Sequence, residues 1–165
     1  MKKIFLSLFV MGLHLFASAT DVAVTVKQHS EHSAMPDRPY GKNDLSFGAY
    51  MEFFEGPAGW RVGAAFADDL SGPLAADRVI TPELTLLFQD GMWEAGVSVL
   101  KDYLKVNDDT GWKSTYFQFQ LGLSIPFGRS ASVGAHAFYP FESFGDLSEF
   151  KFDDLDFGIT VRYRF

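Results

Sequence analysis

Eight stretches of the chain alternate apolar and polar residues with a period of two. Such alternation predicts β-strands that each have one apolar face and one polar face. The stretches are residues 22–27, 45–53, 60–67, 80–88, 93–99, 115–127, 132–139 and 155–165. The sixth is the most regular, with Phe117, Phe119 and Leu121 separated by glutamines. No helical period competes with this pattern, so we predict an all-β protein.

The connections between these strands alternate between long and short. Long polar segments cover residues 29–43, 68–79, 104–113 and 142–153, and the other three connections are tight turns. Asp90-Gly91 is a strong hairpin signal, because both central residues of such a turn adopt positive φ. Consecutive antiparallel strands would place all long loops at one end of the sheet. The even strand number then puts both termini at the short-turn end.

The first residues have the pattern of a targeting segment. Lys2 and Lys3 precede an apolar run, and Ala17-Ser18-Ala19 has the small residues of a cleavage site. We therefore predict a signal peptide at 1–19 and one barrel domain at 20–165. The chain has no cysteine, and its net charge of −7 argues against binding nucleic acid.

Alternation alone does not say which face meets water. A lipocalin-like barrel buries its apolar face inside, whereas a barrel in a bilayer turns it outward. Three features favour the bilayer. Glycines fall mainly in the polar set, where a narrow lumen needs small residues. The apolar set carries almost no charge; Lys101, the exception, lies late in its strand. Aromatic residues cluster at both strand ends, including Tyr103, Tyr139 and Phe141 at the long-loop end.

The last strand carries a specific resemblance. Apolar and aromatic residues alternate up to a terminal phenylalanine, at Ile159, Val161, Tyr163 and Phe165. With the signal peptide and eight strands, this resembles the small outer-membrane β-barrels of Gram-negative bacteria, of the OmpA/OmpX type. The resemblance implies an eight-stranded antiparallel up-and-down transmembrane barrel with periplasmic termini. It also implies that these four residues are the signal read by the barrel-assembly machinery. The expected surroundings are outer-membrane lipid and lipopolysaccharide, and the expected state is a monomer.

Charged residues in the polar set are expected to face the lumen. Buried charges must pair or cost several kcal/mol each. We therefore predict an interior charge cluster, concentrated towards the short-turn end, from Lys27, Glu52, Arg61, Glu83, Glu94, Asp156, Arg162 and Arg164. Two interpretations remain open, a structural plug and a gate in a narrow channel. The plug is favoured, because side chains fill an eight-stranded barrel.

The loops offer further candidates. The first contains possible base, nucleophile and carboxylate groups at His29, Ser30, Glu31, His32 and Ser33, as an acyl-modifying enzyme would need. In the loops at the outer end, five cations are candidates for lipopolysaccharide phosphates: Arg38, Lys42, Arg78, Lys105 and Lys113. His136, in the seventh strand, is expected inside as a hydrogen-bonded residue or a pH switch. The fourth loop mixes acids with phenylalanines and is interpreted as an extension of its two strands.

The functional expectation is a non-enzymatic outer-membrane protein with a structural or surface-interaction role through its long loops. The alternatives are a narrow channel for ions or small solutes and a lipid A-modifying enzyme at the outer rim. We expect no cofactor, no metal and no catalytic residue.

Overall fold

The protein is an eight-stranded barrel. The computed structural model describes residues 21–32, 35, 37–107 and 109–165, and the predicted signal peptide lies outside them. The strands are β1 Asp21–Gln28, β2 Leu45–Glu55, β3 Ala58–Asp68, β4 Arg78–Asp90, β5 Trp93–Val106, β6 Asp109–Phe127, β7 Ala131–Phe141 and β8 Asp156–Arg164. Two 3-10 turns, Phe144–Glu149 and Phe152–Asp154, lie between β7 and β8.

Each strand pairs antiparallel with the next one along the chain, and β8 returns to pair with β1. Val24 of β1 lies opposite Val161 of β8, so the final strand closes the sheet. Closure pairs the backbone groups that a free edge would leave open. The predicted fold class, an all-β up-and-down antiparallel barrel of eight strands, is confirmed.

Burial alternates along the strands with the apolar side chains outside. Phe47 and Ile159 are 55% and 59% exposed, whereas Thr25, Lys27 and Glu52 are buried. This is the reverse of a barrel that is stable in water, and it is the arrangement expected of a barrel surrounded by lipid. Among the described residues, no helix is long and apolar enough to cross a membrane.

Glycines make room for large inward side chains. The ring of Tyr50 fills the space beside Gly48 and Gly63, where an added Cβ would meet ring atoms at 2.4 Å and 2.7 Å. His136 covers Gly122 and Gly134 in the same way. The glycines expected from sequence in the polar set therefore serve the packing of the lumen.

The third long loop was wrongly predicted. Instead of a loop over 104–113, β5 continues to Val106 and β6 begins at Asp109. The register between these strands shifts between Lys101 and Tyr103. The bulge adds one residue to β6, so the alternation of apolar and polar residues changes phase there. A search for regular alternation therefore ended the strand too early.

The loop between β7 and β8, residues 142–155 and here called the β7–β8 loop, folds against the outer wall of the barrel. Tyr139 and Phe141 were expected to face outward as part of an aromatic girdle, but both are buried. The Phe141 ring lies 5.5 Å from that of Phe144, and the Tyr139 ring lies 4.8 Å from that of Phe150. The loop thus forms 3-10 turns over the wall, where the sequence pattern suggested two extended strands.

Candidate functional site

Four charged side chains meet inside the barrel towards the short-turn end. This arginine–glutamate cluster contains Glu52 of β2, Arg61 of β3, Glu94 of β5 and Arg162 of β8. Arg61 Nε donates to Glu52 Oε1 at 2.8 Å, and Arg162 Nη2 donates to Glu94 Oε2 at 2.6 Å. Arg162 also binds Glu52, and Arg61 Nη2 lies 3.2 Å from Glu94 Oε1. Two positive and two negative charges therefore bridge four strands.

Further polar groups complete the arginine–glutamate cluster. Gln120 accepts from Arg61 Nη1 at 3.0 Å and donates to Glu94 Oε1 at 3.0 Å. His136 Nε2 lies 3.1 Å from Glu94 Oε1. The polar contacts of the His136 ring are therefore Glu94 and Thr160, which confirms its expected position inside the barrel. With charge balanced and hydrogen bonds made, the cluster offsets the cost of burying four charges.

Arg164, predicted as an interior residue, is not inside. Its side chain is 59% exposed at the short-turn mouth, where Nε donates to Asp21 Oδ1 at 3.0 Å. Arg164 is the last residue of β8, so its side chain lies at the mouth of the barrel, where the facing strands no longer cover it. Asp21, the first residue of β1, was not singled out from the sequence, although it shares the inward set of Ala23 and Lys27.

Lys27 and Glu83 lie inside, as expected, but outside the arginine–glutamate cluster. Lys27 Nζ donates to Gln118 Oε1 at 2.8 Å and lies 4.3 Å from the centre of the Phe138 ring. Glu83 accepts hydrogen bonds from Thr85 at 2.7 Å and Ser98 at 3.1 Å. Each charge therefore has polar contacts at its own level of the lumen.

Asp156 anchors a second group of charges at the long-loop end. Arg38 Nη2 donates to Asp156 Oδ2 at 2.5 Å, and His29 Nδ1 lies 2.9 Å from the same oxygen. Burial lowers the pKa of His29 to about 4, although Asp156 opposes the effect. Burial also disfavours the charge of Arg38, yet Asp156 raises the pKa of Arg38 above its usual value. The group therefore contains one ion pair with a neutral imidazole beside it.

The first loop, residues 29–44, is here called loop 1, and its described residues close the long-loop end of the lumen. Met35 packs against Leu100 and Tyr116 of the wall. Tyr40 stacks on His29, with ring centroids 3.7 Å apart, and its hydroxyl lies 2.8 Å from Thr81 Oγ1. The described part of loop 1 is therefore a packed plug, although its sequence is a long polar segment.

Arg38 was a candidate for binding lipopolysaccharide phosphates, and this prediction was wrong. Its side chain is buried inside the barrel on Asp156, because a carboxylate in the lumen needs a partner. The other four candidate cations, Lys42, Arg78, Lys105 and Lys113, are exposed. Of these, Arg78 pairs with Asp68 at 2.9 Å.

The candidate catalytic residues of loop 1 are split up. The His32 ring is buried with its centroid 5.3 Å from that of Tyr139, and within the described residues neither of its ring nitrogens has a hydrogen-bond partner. Ser30 instead binds Asp156. Ser33 lies outside the described residues. A different serine completes a linear series, since His29 Nε2 lies 2.8 Å from Ser46 Oγ.

This series, Ser46–His29–Asp156, has the order of a catalytic triad. Ser46 is 2% exposed, however, and a substrate has no access to it while loop 1 is closed. Arg38 Nη2 also lies 3.0 Å from His29 Nδ1. The positive charge of Arg38 opposes protonation of His29, which a catalytic triad requires. The series therefore serves first as a part of the plug.

Asp102 is a lumen residue that the sequence reasoning missed. It accepts from Thr81 Oγ1 at 2.6 Å and from the Tyr116 hydroxyl at 3.1 Å. The sequence did contain a signal for Asp102. In β5, which runs to Val106, every second residue from Glu94 through Ser98 faces inward, and Asp102 belongs to this series. No pattern in loop 1 indicates that Arg38 enters the barrel.

The lumen is closed to water along its charged lining. The interior charged residues Lys27, Glu52, Arg61, Glu83, Glu94, Asp156 and Arg162 are each 0–5% exposed. A continuous aqueous pore would leave the residues along it accessible. Among the described residues, no group of three or more potential metal ligands is placed to hold an ion.

Three of the predicted assembly-signal residues lie on the outer face of β8, and Phe165 follows directly after the strand. Ile159, Val161, Tyr163 and Phe165 are exposed by 59%, 49%, 54% and 80%. The structure thus gives them a common, accessible surface. Their recognition by an assembly machinery stays a prediction.

The closed eight-stranded fold, with a polar lumen and an apolar outer wall, is that of the small outer-membrane-type β-barrels. The chain is similar in structure to Neisserial surface protein A, whose crystal structure aligns with a TM-score of 0.58 and 12% identity. The alignment covers 88% of this chain and 96% of that protein, so the shared architecture spans the whole barrel. No protein-family model matches the chain, and no curated protein matches its sequence.

Proposed function

We propose that the protein is a closed, non-conducting outer-membrane barrel that holds its loops at the cell surface, with both termini in the periplasm. The observation that carries this proposal is the filled lumen. Its charges are paired across the barrel, and loop 1 covers them at one end. A barrel of this kind contributes to envelope structure or to surface interactions rather than to transport.

Electrical recording tests the closed state. Purified protein is folded into planar bilayers, and insertion is checked by the heat-dependent shift of the folded band on a gel. We expect no single-channel steps from the intact protein. Steady, reproducible steps from wild-type protein would contradict the proposal and support the narrow channel.

Epitope tags test location and orientation. One tag follows residue 20, and the other is placed in the turn between β5 and β6, because a tag after Phe165 would disturb the predicted assembly signal. We expect antibody to reach the turn tag on intact cells and the N-terminal tag only after permeabilisation. The opposite pattern would overturn the orientation, and absence from the outer-membrane fraction would overturn the location.

Lipopolysaccharide is the proposed contact of the exposed cations Lys42, Lys105 and Lys113, whose ammonium groups match phosphate in charge. Changing all three to glutamine is expected to lower the lipopolysaccharide that copurifies with the folded barrel. The change should leave the folded band on the gel unaltered. Unchanged copurification would remove these residues from the proposal.

The second candidate is an acyl-ester hydrolase. The specific observation in its favour is the hydrogen-bonded order of Ser46, His29 and Asp156. It ranks second because Ser46 is covered by loop 1. A fluorophosphonate probe that labels wild-type protein but not Ser46→Ala would support this activity. Absence of labelling in protein folded in lipid would reject it.

A further inference from the structure

The β7–β8 loop is bound to the lipid-facing side of the barrel rather than standing above its mouth. Phe141 and Tyr139 belong to the same outward series on β7 as Val133 and Ala135, which are exposed. The loop covers only the upper members of that series, leaving Phe141 with 0% and Tyr139 with 4% exposure. The surface of the loop is therefore continuous with the apolar outer wall below it.

The loop also lies close to the level of an aromatic pair on the neighbouring strands. Phe141 is opposite Phe117 in the β6–β7 register, and Phe117 is opposite Val99 in the β5–β6 register. A little further towards the long-loop end, Tyr103 and Trp112 pair on the outer face with rings 5.0 Å apart. Aromatic residues at this level are typical of the membrane–water interface.

Three phenylalanines of the loop are exposed beside charged residues, among them Lys151 and Asp153, and the loop backbone is held in place. Phe152, Phe144 and Phe150 are 79%, 65% and 43% exposed. The loop backbone is fixed by Asp146, whose carboxylate accepts from the backbone amide of Ser143 at 2.8 Å and from its hydroxyl at 2.8 Å. Three phenylalanines are thus displayed on a hydrogen-bonded segment.

We propose that the β7–β8 loop is a membrane-facing element, and that Phe144, Phe150 and Phe152 enter the boundary between headgroups and acyl chains of the surrounding lipid. The inference rests on the proposed outer-membrane location. Lipid is the occupant because the exposed phenylalanines lie on a loop that packs directly on Tyr139 and Phe141 of the lipid-facing wall. A soluble protein partner would instead require the loop to stand in water.

Site-directed spin labelling tests the depth of the loop, and a chain without cysteine allows labels to be placed singly. The test variant is Phe152→Cys, which removes a largely exposed side chain, with Phe144→Cys as a second site. Ile159→Cys on the outer wall is the lipid control, and Asp109→Cys at the β5–β6 turn is the water control. The folded barrels are placed in vesicles of phosphatidylethanolamine and phosphatidylglycerol.

The readout is the ratio of nitroxide collisions with oxygen, which concentrates in lipid, to collisions with a water-soluble nickel chelate. We expect the ratio at Phe152 and Phe144 to exceed that at Asp109 several-fold and to approach that at Ile159. Ratios equal to the Asp109 value would overturn the inference and leave the loop as a surface for a soluble partner. If the label at Ile159 also reports water, the membrane location itself fails, so the two failures are distinct.

Discussion

Glu52→Gln tests whether the arginine–glutamate cluster stabilises the barrel. The replacement keeps the size of the side chain and an oxygen acceptor but removes the negative charge. Glu52 is 0% exposed and accepts hydrogen bonds from both Arg61 and Arg162. After the change, the two arginines share Glu94 as the remaining carboxylate of the cluster.

The expected cost follows from this imbalance. Removing one partner of a buried ion pair destabilises proteins by about 3–5 kcal/mol. The glutamine oxygen still accepts one bond, so we expect a value near the lower end, about 3 kcal/mol. That is a large share of the roughly 5–15 kcal/mol by which domains are stable.

Urea unfolding in lipid vesicles, followed by tryptophan fluorescence, measures the free energy of unfolding. Glu55→Gln is the matched control, because Glu55 lies on the same strand and is exposed. We expect the control to change the unfolding free energy by no more than about 0.5 kcal/mol. The double variant Glu52→Leu with Arg162→Met removes one negative and one positive charge, so the remaining Arg61 and Glu94 balance each other. It should recover much of the stability lost in Glu52→Gln.

Two results would refute this reasoning. One is a Glu52→Gln protein as stable as the Glu55→Gln control, since the buried charges would then contribute nothing measurable. The other is a double variant that is less stable than Glu52→Gln. In that case the loss would come from packing or polar contacts and not from unbalanced charge.

Three further predictions test loop 1, the lumen packing and the outer face. Because the pKa of His29 falls from 6.5 to about 4, the unfolded chain takes up a proton that the folded protein excludes. The His29 contribution to stability is therefore constant above about pH 6.5 and falls by about 3 kcal/mol as the pH drops to 4. Unfolding titrations should show this component in wild-type protein and not in His29→Gln; equal pH profiles would contradict it. Gly63→Ala places a Cβ 2.1 Å from a backbone oxygen and should cost about 1–3 kcal/mol, whereas Gly111→Ala meets nothing within 4 Å and should be nearly neutral in the same unfolding assay. Ile159→Lys puts a charge on the outer wall and should cost about 2–4 kcal/mol in vesicles; a cost near zero would mean that the wall does not face lipid.

The alternation of side chains was sufficient to predict the strands and their two faces. Every strand turns successive residues to opposite sides, so the pattern around Phe117 and Ile159 is a local property that needs no tertiary information. Glycines and charges in one set, and apolar residues in the other, then indicated which face is inside. The same logic placed Glu52, Arg61, Glu94 and Arg162 in the lumen.

The sequence pattern failed where periodicity ends. Loop 1 and the β7–β8 loop have no repeat, so nothing local shows that Arg38 enters the barrel to meet Asp156, or that Phe144 lies on the outer wall. Pairings such as Glu52 with Arg162 also depend on how far each strand is displaced when the sheet closes. Local chemistry therefore decided which residues are inside and outside, whereas the closed barrel decided which residues meet, because those contacts join parts of the chain that only closure brings together.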